Sequence, residues 1–288
     1  MRSPNIVALS SFLLLSLAAA YPSSMRADAN KPDNSIIDLV AQVPISPKEK
    51  TGFFQPIETA TNLNDDDDPV PKPDYTFPSW DTAHLRARRL LALSTTGVLS
   101  TVYPHSSSVH RSSLKGVPVG LPDYIADCAN GPDSELANLL GPGNPLILAL
   151  NVGTTFRNTK AGSNISLSID WWHQGASKAG NNVSLASLPR LSLLGYLEPL
   201  NDLPDTSRKA VEKCFLDSHS DAAWWLPGHE NAAHSGYWAR MVVEEAFWIG
   251  GFGDRARIGW LVPDTWRSVT KHGENGKQGW ADVKLPGE

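Results

Sequence analysis

The chain is short of several things. It has only two cysteines, Cys128 and Cys214, and neither sits in a C-x-x-C pair, so they cannot build a zinc site alone. No G-x-S-x-G turn is present, which removes the usual signpost of a hydrolase nucleophile. Lys and Arg are scattered and form no basic stripe, and the formal charge is −5, so nucleic acid is excluded as the expected partner. After the first apolar run no segment is long and apolar enough to span a bilayer. No solenoid-length repeat occurs.

That first run is a separate object. Arg2 precedes "IVALSSFLLLSLAAA", which ends on the small residues Ala18 and Ala20. Residues 1–20 therefore read as a secretory signal peptide cut before Tyr21, after which no membrane span is expected. Its loss removes Arg2 and leaves 24 basic against 30 acidic residues, a balance of −6. The secretory route makes "NIS" at Asn164 and "NVS" at Asn182 usable glycosylation acceptors. It also permits a disulfide between Cys128 and Cys214, with two separate buried thiols as the equal alternative.

Residues 21–79 lack apolar periodicity and are rich in Pro and Asp, so they read as a solvated linker. Asp65 to Asp68 lack the alternating ligands, glycine and distal glutamate of a calcium loop. Order begins at "SWDTAHLRARRLLALS", a helix capped by Ser79 or Asp81. Ala83, Ala87, Leu90 and Leu91 form one face, with Arg86, Arg88 and Arg89 off it. Strands follow at "TTGVLSTVYP", "GVPVGLPDYIADC", "LILALNV", the alternating Ile165 to Trp171, "RLSLLGYLEPL", "YWARMVVEEAFWIGG" and "ARIGWLV". Helices are expected at "DSELANLLGPGNP" and at "PDTSRKAVEKCFLDSH", the latter capped by Asp205. Many strands with few helices point to an antiparallel barrel, mainly β with flanking helices.

The candidate chemistry is thin. His219 lies between Asp217 and Asp221, and His229 and His234 are five apart; neither spacing gives a shared helical face. Glu244 and Glu245 are adjacent on an expected strand and should face opposite ways, one solvated and one against Arg240 or Arg257. The late tryptophans serve packing or a stacking surface. "GGFGDRARIGW" matches G-x-G-x-x-G/A, but a strand follows it instead of a helix. Gly250, Gly251 and Gly253 are therefore read as hairpin turn positions.

In order, "ARRLLALSTTGVLSTV", "GVPVGLPDYIADC", "ELANLLGPGNPLILALNV", "PRLSLLGYLEPL" and "YWARMVVEEAFWIGGFGDRARIGWLVPDTW" resemble the split β-barrel of pyridoxamine-5′-phosphate-oxidase-like proteins. The likeness is narrower still to the secreted CREG-like branch (cellular repressor), in a fungal-type form. It covers residues 80–270 and leaves 271–288 as a flexible tail. The resemblance implies a homodimeric, non-catalytic glycoprotein, outside the cell or in a vacuole or endolysosome, with no cofactor expected. Flavoenzymes of the superfamily hold the FMN phosphate with Arg and Lys on early strands; here those strands have neither. The alternative is an FMN-dependent oxidoreductase with phosphate contacts from His105, Ser106, Ser107 and Arg190. A third reading is haem binding through His105, His110 or His234.

Overall fold

The computed structural model describes residues 78–288 except 106–111, 131–133, 173, 176–182, 231, 254–255 and 274–275. The signal-peptide assignment, and the linker assignment up to residue 77, lie outside the described residues. Ser79 opens helix α1 (Trp80–Leu93) by accepting a hydrogen bond from the Thr82 amide at 3.0 Å. The expected Asp81 is instead in the first turn.

Seven antiparallel strands follow among the described residues: β1 (Thr96–Val102), β2 (Pro118–Tyr124), β3 (Leu146–Leu150), β4 (Ile165–Asp170), β5 (Arg190–Pro199), β6 (Gly236–Ile249) and β7 (Ile258–Leu261). They run in the order β2-β1-β4-β5-β6-β3, with β7 paired to the C-terminal part of β6. Just past β2, Ala126 exchanges both backbone hydrogen bonds with Leu146 at the start of β3, at 3.1 and 2.8 Å. That bridge joins the two ends of the sheet into a barrel. Between strands lie α2 (Ser134–Leu140), α3 (Thr154–Lys160), α4 (Asp205–Ser218) and, after β7, α5 (Pro263–Ser268). Pro204, not Asp205, occupies the N-cap of α4.

Strand alternation sorts side chains into an inner and an outer set. One inward row runs Leu99–Leu167–Leu193–Ala246–Leu261 across five strands, and all five are buried against Ala87, Leu90 and Leu91 of α1. A second core lies between α2, α4 and the other face of β3 and β6, around Leu146, Leu148, Val211, Phe215 and Trp238. β3 faces both cores, so its run "LILAL" is apolar throughout.

Cys128 and Cys214 are joined in a disulfide that ties the turn after β2 to α4, with Cα atoms 6.0 Å apart. The bridge closes a loop of 86 residues, worth about 4–5 kcal/mol on a chain-entropy view.

Three expectations change. Arg88 and Arg89 are buried, because α5 and the chain's last twenty residues wrap the second side of α1. Arg88 donates to the carbonyls of Trp266 (3.0 Å) and Val269 (3.2 Å) and to Asn130 (2.8 Å), and lies 3.8 Å from buried Asp127. Burial pushes the Asp127 carboxyl above its usual range, against the pull of Arg88 and Asn130. Residues 271–288 are likewise no flexible tail. Trp280, Val283 and Leu285 are buried, Pro286 accepts from the Trp171 indole at 2.8 Å, and Glu288 grips Arg89 through two hydrogen bonds of 2.6 and 2.7 Å. Finally, Glu244 and Glu245 are both exposed, because pairing between β5 and β6 slips by one residue at Leu194/Gly195. The bulge turns two successive side chains outward. Arg240 pairs with Glu198 instead, and Arg257 donates to the carbonyl of Pro78.

Replacing Arg88 by Met leaves Asp127 buried without its cation and should cost about 3–5 kcal/mol in urea unfolding. The Arg88→Met/Asp127→Leu pair should recover most of it; a double variant as weak as the single would contradict this account. Burial pushes the Glu288 carboxyl up, but hydrogen bonds from Arg89 and the Leu285 amide, with the charges of Arg89 and Lys284, outweigh it and hold it low. The folded-state value is depressed, so the clamp contributes fully above the ordinary glutamate range and fades as pH falls below about 4. The stability gap between parent and Glu288→Gln should be full at pH 7 and shrink as pH falls into the acid range; a gap that does not change with pH would rule out the clamp as the source.

Candidate functional site

The outward sides of the same strands build the site. One row runs Val98–Ser168–Ser192–Phe247–Trp260 from β1 through β4, β5 and β6 to β7. The next runs Asp170–Arg190–Ile249–Ile258. Trp172, just past β4, folds over the second row, and with Val98, Ser168, Ser192, Phe247, Asp170, Arg190 and Ile249 it lines a recess of about 250 Å³. The Arg190 guanidinium sits 5.6 Å from the centre of the Trp172 ring. Among the described residues Arg190 makes no hydrogen bond or ion pair, and its Nε is buried without an acceptor, as is the Trp172 indole N–H. Asp170 lies across from Arg190 in the register, but its Oδ1 accepts the Trp172 amide at 2.8 Å. Phe247 and Trp260 meet edge to face at 5.0 Å.

The expected cofactor residues do not converge here. Arg190 lies level with the Thr96 end of β1, while exposed His105 follows its Val102 end, with roughly 20 Å of strand between. Within one chain they cannot hold one phosphate. Ser106, Ser107 and His110 lie outside the described residues, and exposed His234 precedes the far end of β6. Within one chain the recess offers one cation, and its volume falls below the roughly 300–1,000 Å³ of typical ligand pockets. That donor set does not fit FMN, whose phosphate dianion calls for several charge-assisted donors. Lys160 on α3 is already taken by Asn151 and by the face of Tyr237 at 4.4 Å.

A larger cavity, about 590 Å³, lies between α1, α5 and the C-terminal segment, lined by Asp81, His84, Thr265, Ser268 and Gln278. Its histidine is structural. The Val262 amide donates to Nε2 of His84 at 3.0 Å, so Nδ1 carries the proton and donates to the carbonyl of Trp80 at 2.7 Å. His219 is also a packing residue, stacked on Tyr124 at 4.2 Å with Nε2 on the carbonyl of Ile125 at 2.9 Å. No group of three metal-ligating side chains occurs among the described residues.

The glycine-rich stretch connects β6 to β7 as a hairpin, closed by the Gly250 amide on the carbonyl of Arg257 at 2.9 Å. Gly253 has φ of +71° with open space around its Cα. A strand follows, so the pattern is a turn and no dinucleotide site. A family model for CREG β-barrel proteins matches residues 78–268. The chain belongs to the CREG β-barrel family. In this CREG-family chain the matched region ends at the close of α5, so the packed segment after Ser268 lies outside it.

Two solved structures illustrate the likeness in fold. A heme binding protein from Mycobacterium smegmatis is 18% identical, with a TM-score of 0.45, covering 68% of this chain and 62% of that one. A protein related to general stress protein 26, of the pyridoxinephosphate oxidase family, from Clostridium acetobutylicum is 12% identical, with a TM-score of 0.38, covering 65% and 98%. No curated protein matches the chain in sequence.

Sequence reasoning named Arg190, named Trp172 only as one of several tryptophans that pack or stack, and missed the two serines. The alternation from Ile165 to Trp171 marks a polar face, yet only the pairing register shows that Ser168 meets Ser192. Because space around Gly253 is open, Gly253→Ala should cost only the positive-φ penalty, about 1 kcal/mol, and leave any ligand affinity of the folded protein unchanged. A thermal melt superimposable on the parent would count against this.

Proposed function

We propose that this CREG-family chain is a non-catalytic, homodimeric glycoprotein of the secretory pathway, acting outside the cell or in a vacuole or endolysosome. The observation that carries the non-catalytic reading is the recess itself. It holds one cation and one exposed carboxylate already accepting a backbone amide, with no nucleophile–base pair and no metal-ligand cluster among the described residues. The compartment is supported by the signal-like residues 1–20 and by the disulfide, which persists in an oxidising lumen. Glycosylation is supported by Asn164, which is exposed immediately before β4; Asn182 lies outside the described residues. Dimerisation is supported by apolar side chains left in water along the last hairpin: Phe252, Ile258, Trp260 and Val262, from 48% to 73% exposed.

One observation favours the flavin alternative, the unpaired Arg190 guanidinium on the Trp172 face. The purified, glycosylated mature protein decides between the readings. It should be colourless, leave the spectra of added FMN and haemin unshifted, shift in mass after N-glycosidase, and elute at twice its chain mass in light scattering. Stoichiometric FMN or haemin uptake would overturn the non-catalytic reading.

A further inference from the structure

We infer that the Arg190–Trp172 recess is a binding site for a small planar carboxylate, a molecule of the size of a hydroxylated benzoate. The inference does not rest on glycosylation, and it concerns binding, not catalysis.

Three features of the recess point to that chemistry. The first is charge. Among the described residues Arg190 is the recess's only cation; its guanidinium is steadied on the Trp172 face, yet it has no carboxylate within ion-pair distance and no hydrogen-bond acceptor there. Asp170 faces the same space but is drawn to the Trp172 amide. A planar fork with free donors matches a carboxylate better than any other single group of this size. The second is the far side of the recess. The hydroxyls of Ser168 and Ser192 are cross-strand neighbours with no partner among the described residues, so they can meet a ring hydroxyl or a second acceptor. The third is shape. Val98, Phe247 and Ile249 make apolar walls around a space of about 250 Å³, enough for one aromatic ring and its carboxylate but not for a fused three-ring cofactor with its chain.

Among the described residues Arg190 donates to no protein group, so beyond its place on the Trp172 face its replacement removes no hydrogen bond or ion pair, and its variants are fair probes. Full-length mature protein is titrated with 4-hydroxybenzoate, with acetate and cyclohexanecarboxylate as controls, by calorimetry and tryptophan fluorescence. The expected result is saturable binding at one site per chain, with both controls at least about tenfold weaker. Arg190→Met should weaken 4-hydroxybenzoate at least about tenfold, with Arg190→Lys in between, while all melts match the parent. Trp172→Leu should weaken binding and remove most of the fluorescence response. Absence of saturation at millimolar probe, or unchanged affinity in Arg190→Met, overturns the inference. So does FMN binding that competes with the probe and depends on Arg190, which would assign the recess to a flavin and also overturn the non-catalytic reading. Failure of the probe without FMN binding leaves that reading standing.

Discussion

Everything in this fold depends on β6 serving three partners at once. Its fourteen residues pair with β5 along most of their length, with β3 over the first part and with β7 over the last. A single flat strand could not do this, because right-handed twist would carry the late residues away from the plane set by the early ones. The bulge at Glu244 resolves the conflict. It inserts one extra residue opposite Gly195, where a side chain could not fit: a Cβ there would sit 1.8 Å from the Val242 carbonyl oxygen. Before the bulge β6 gives Trp238 to the core under α4 and Met241 and Val243 to the barrel interior; after it, the strand buries Ala246 and Trp248 under α1. The recess lies past the bulge, on the opposite side of the strand from those two, so its Phe247 and Ile249 owe their outward aim to the same slip.

The second constraint is α1, which has no solvent face to spare. One side closes the barrel core and the other is covered by α5 and the segment ending at Glu288. A helix buried on two sides is usually apolar all round. Here Arg88 and Arg89 stand where apolar residues would be expected, and the fold satisfies them with carbonyls, Asn130, Asp127 and Glu288. Those bonds join α1 to chain segments on both sides of the sheet in sequence, before β3 and after β7. The disulfide anchors the same turn, since Cys128 directly follows Asp127. The C-terminal segment, though beyond the residues that the family model matches, is thereby part of the core.

What could be read in advance follows from which interactions are local. Strand alternation from Ile165 to Trp171, the cap at Ser79 and the glycine turn at Gly250 to Gly253 are short-range patterns, and each has its expected secondary structure. Burial of Arg88 and Arg89 was not legible, because it depends on a segment nearly two hundred positions away. The outward aim of both Glu244 and Glu245 was hidden for a related reason: a bulge is set by the partner strand, and a glycine at position 195 hints at it only once β5 and β6 are known to pair. The candidate site was half legible. Arg190 stands out as the cation opening a strand, but the residues that give it a use come from three other strands whose order no spacing reveals.

The filling of the barrel limits where a ligand can sit. Leu99, Leu167, Leu193, Met241, Trp248 and Leu261 pack the interior against α1, so the barrel is a core and not a container. The larger cavity outside it is lined by a histidine with both ring nitrogens engaged, and by Ser268 and Thr270 hydroxyls that donate to nearby carbonyls. Their hydrogen-bonding capacity is mostly spent within the fold. On the outer sheet face the balance is reversed. Ser168, Ser192, the Trp172 indole N–H and Arg190 carry donor capacity that no protein group among the described residues takes up. A polar group left unpaired at a partly desolvated surface is costly unless something outside the chain meets it. The inferred carboxylate site around Arg190 draws on that unused capacity, with the neighbouring Asp170 turned to the Trp172 amide.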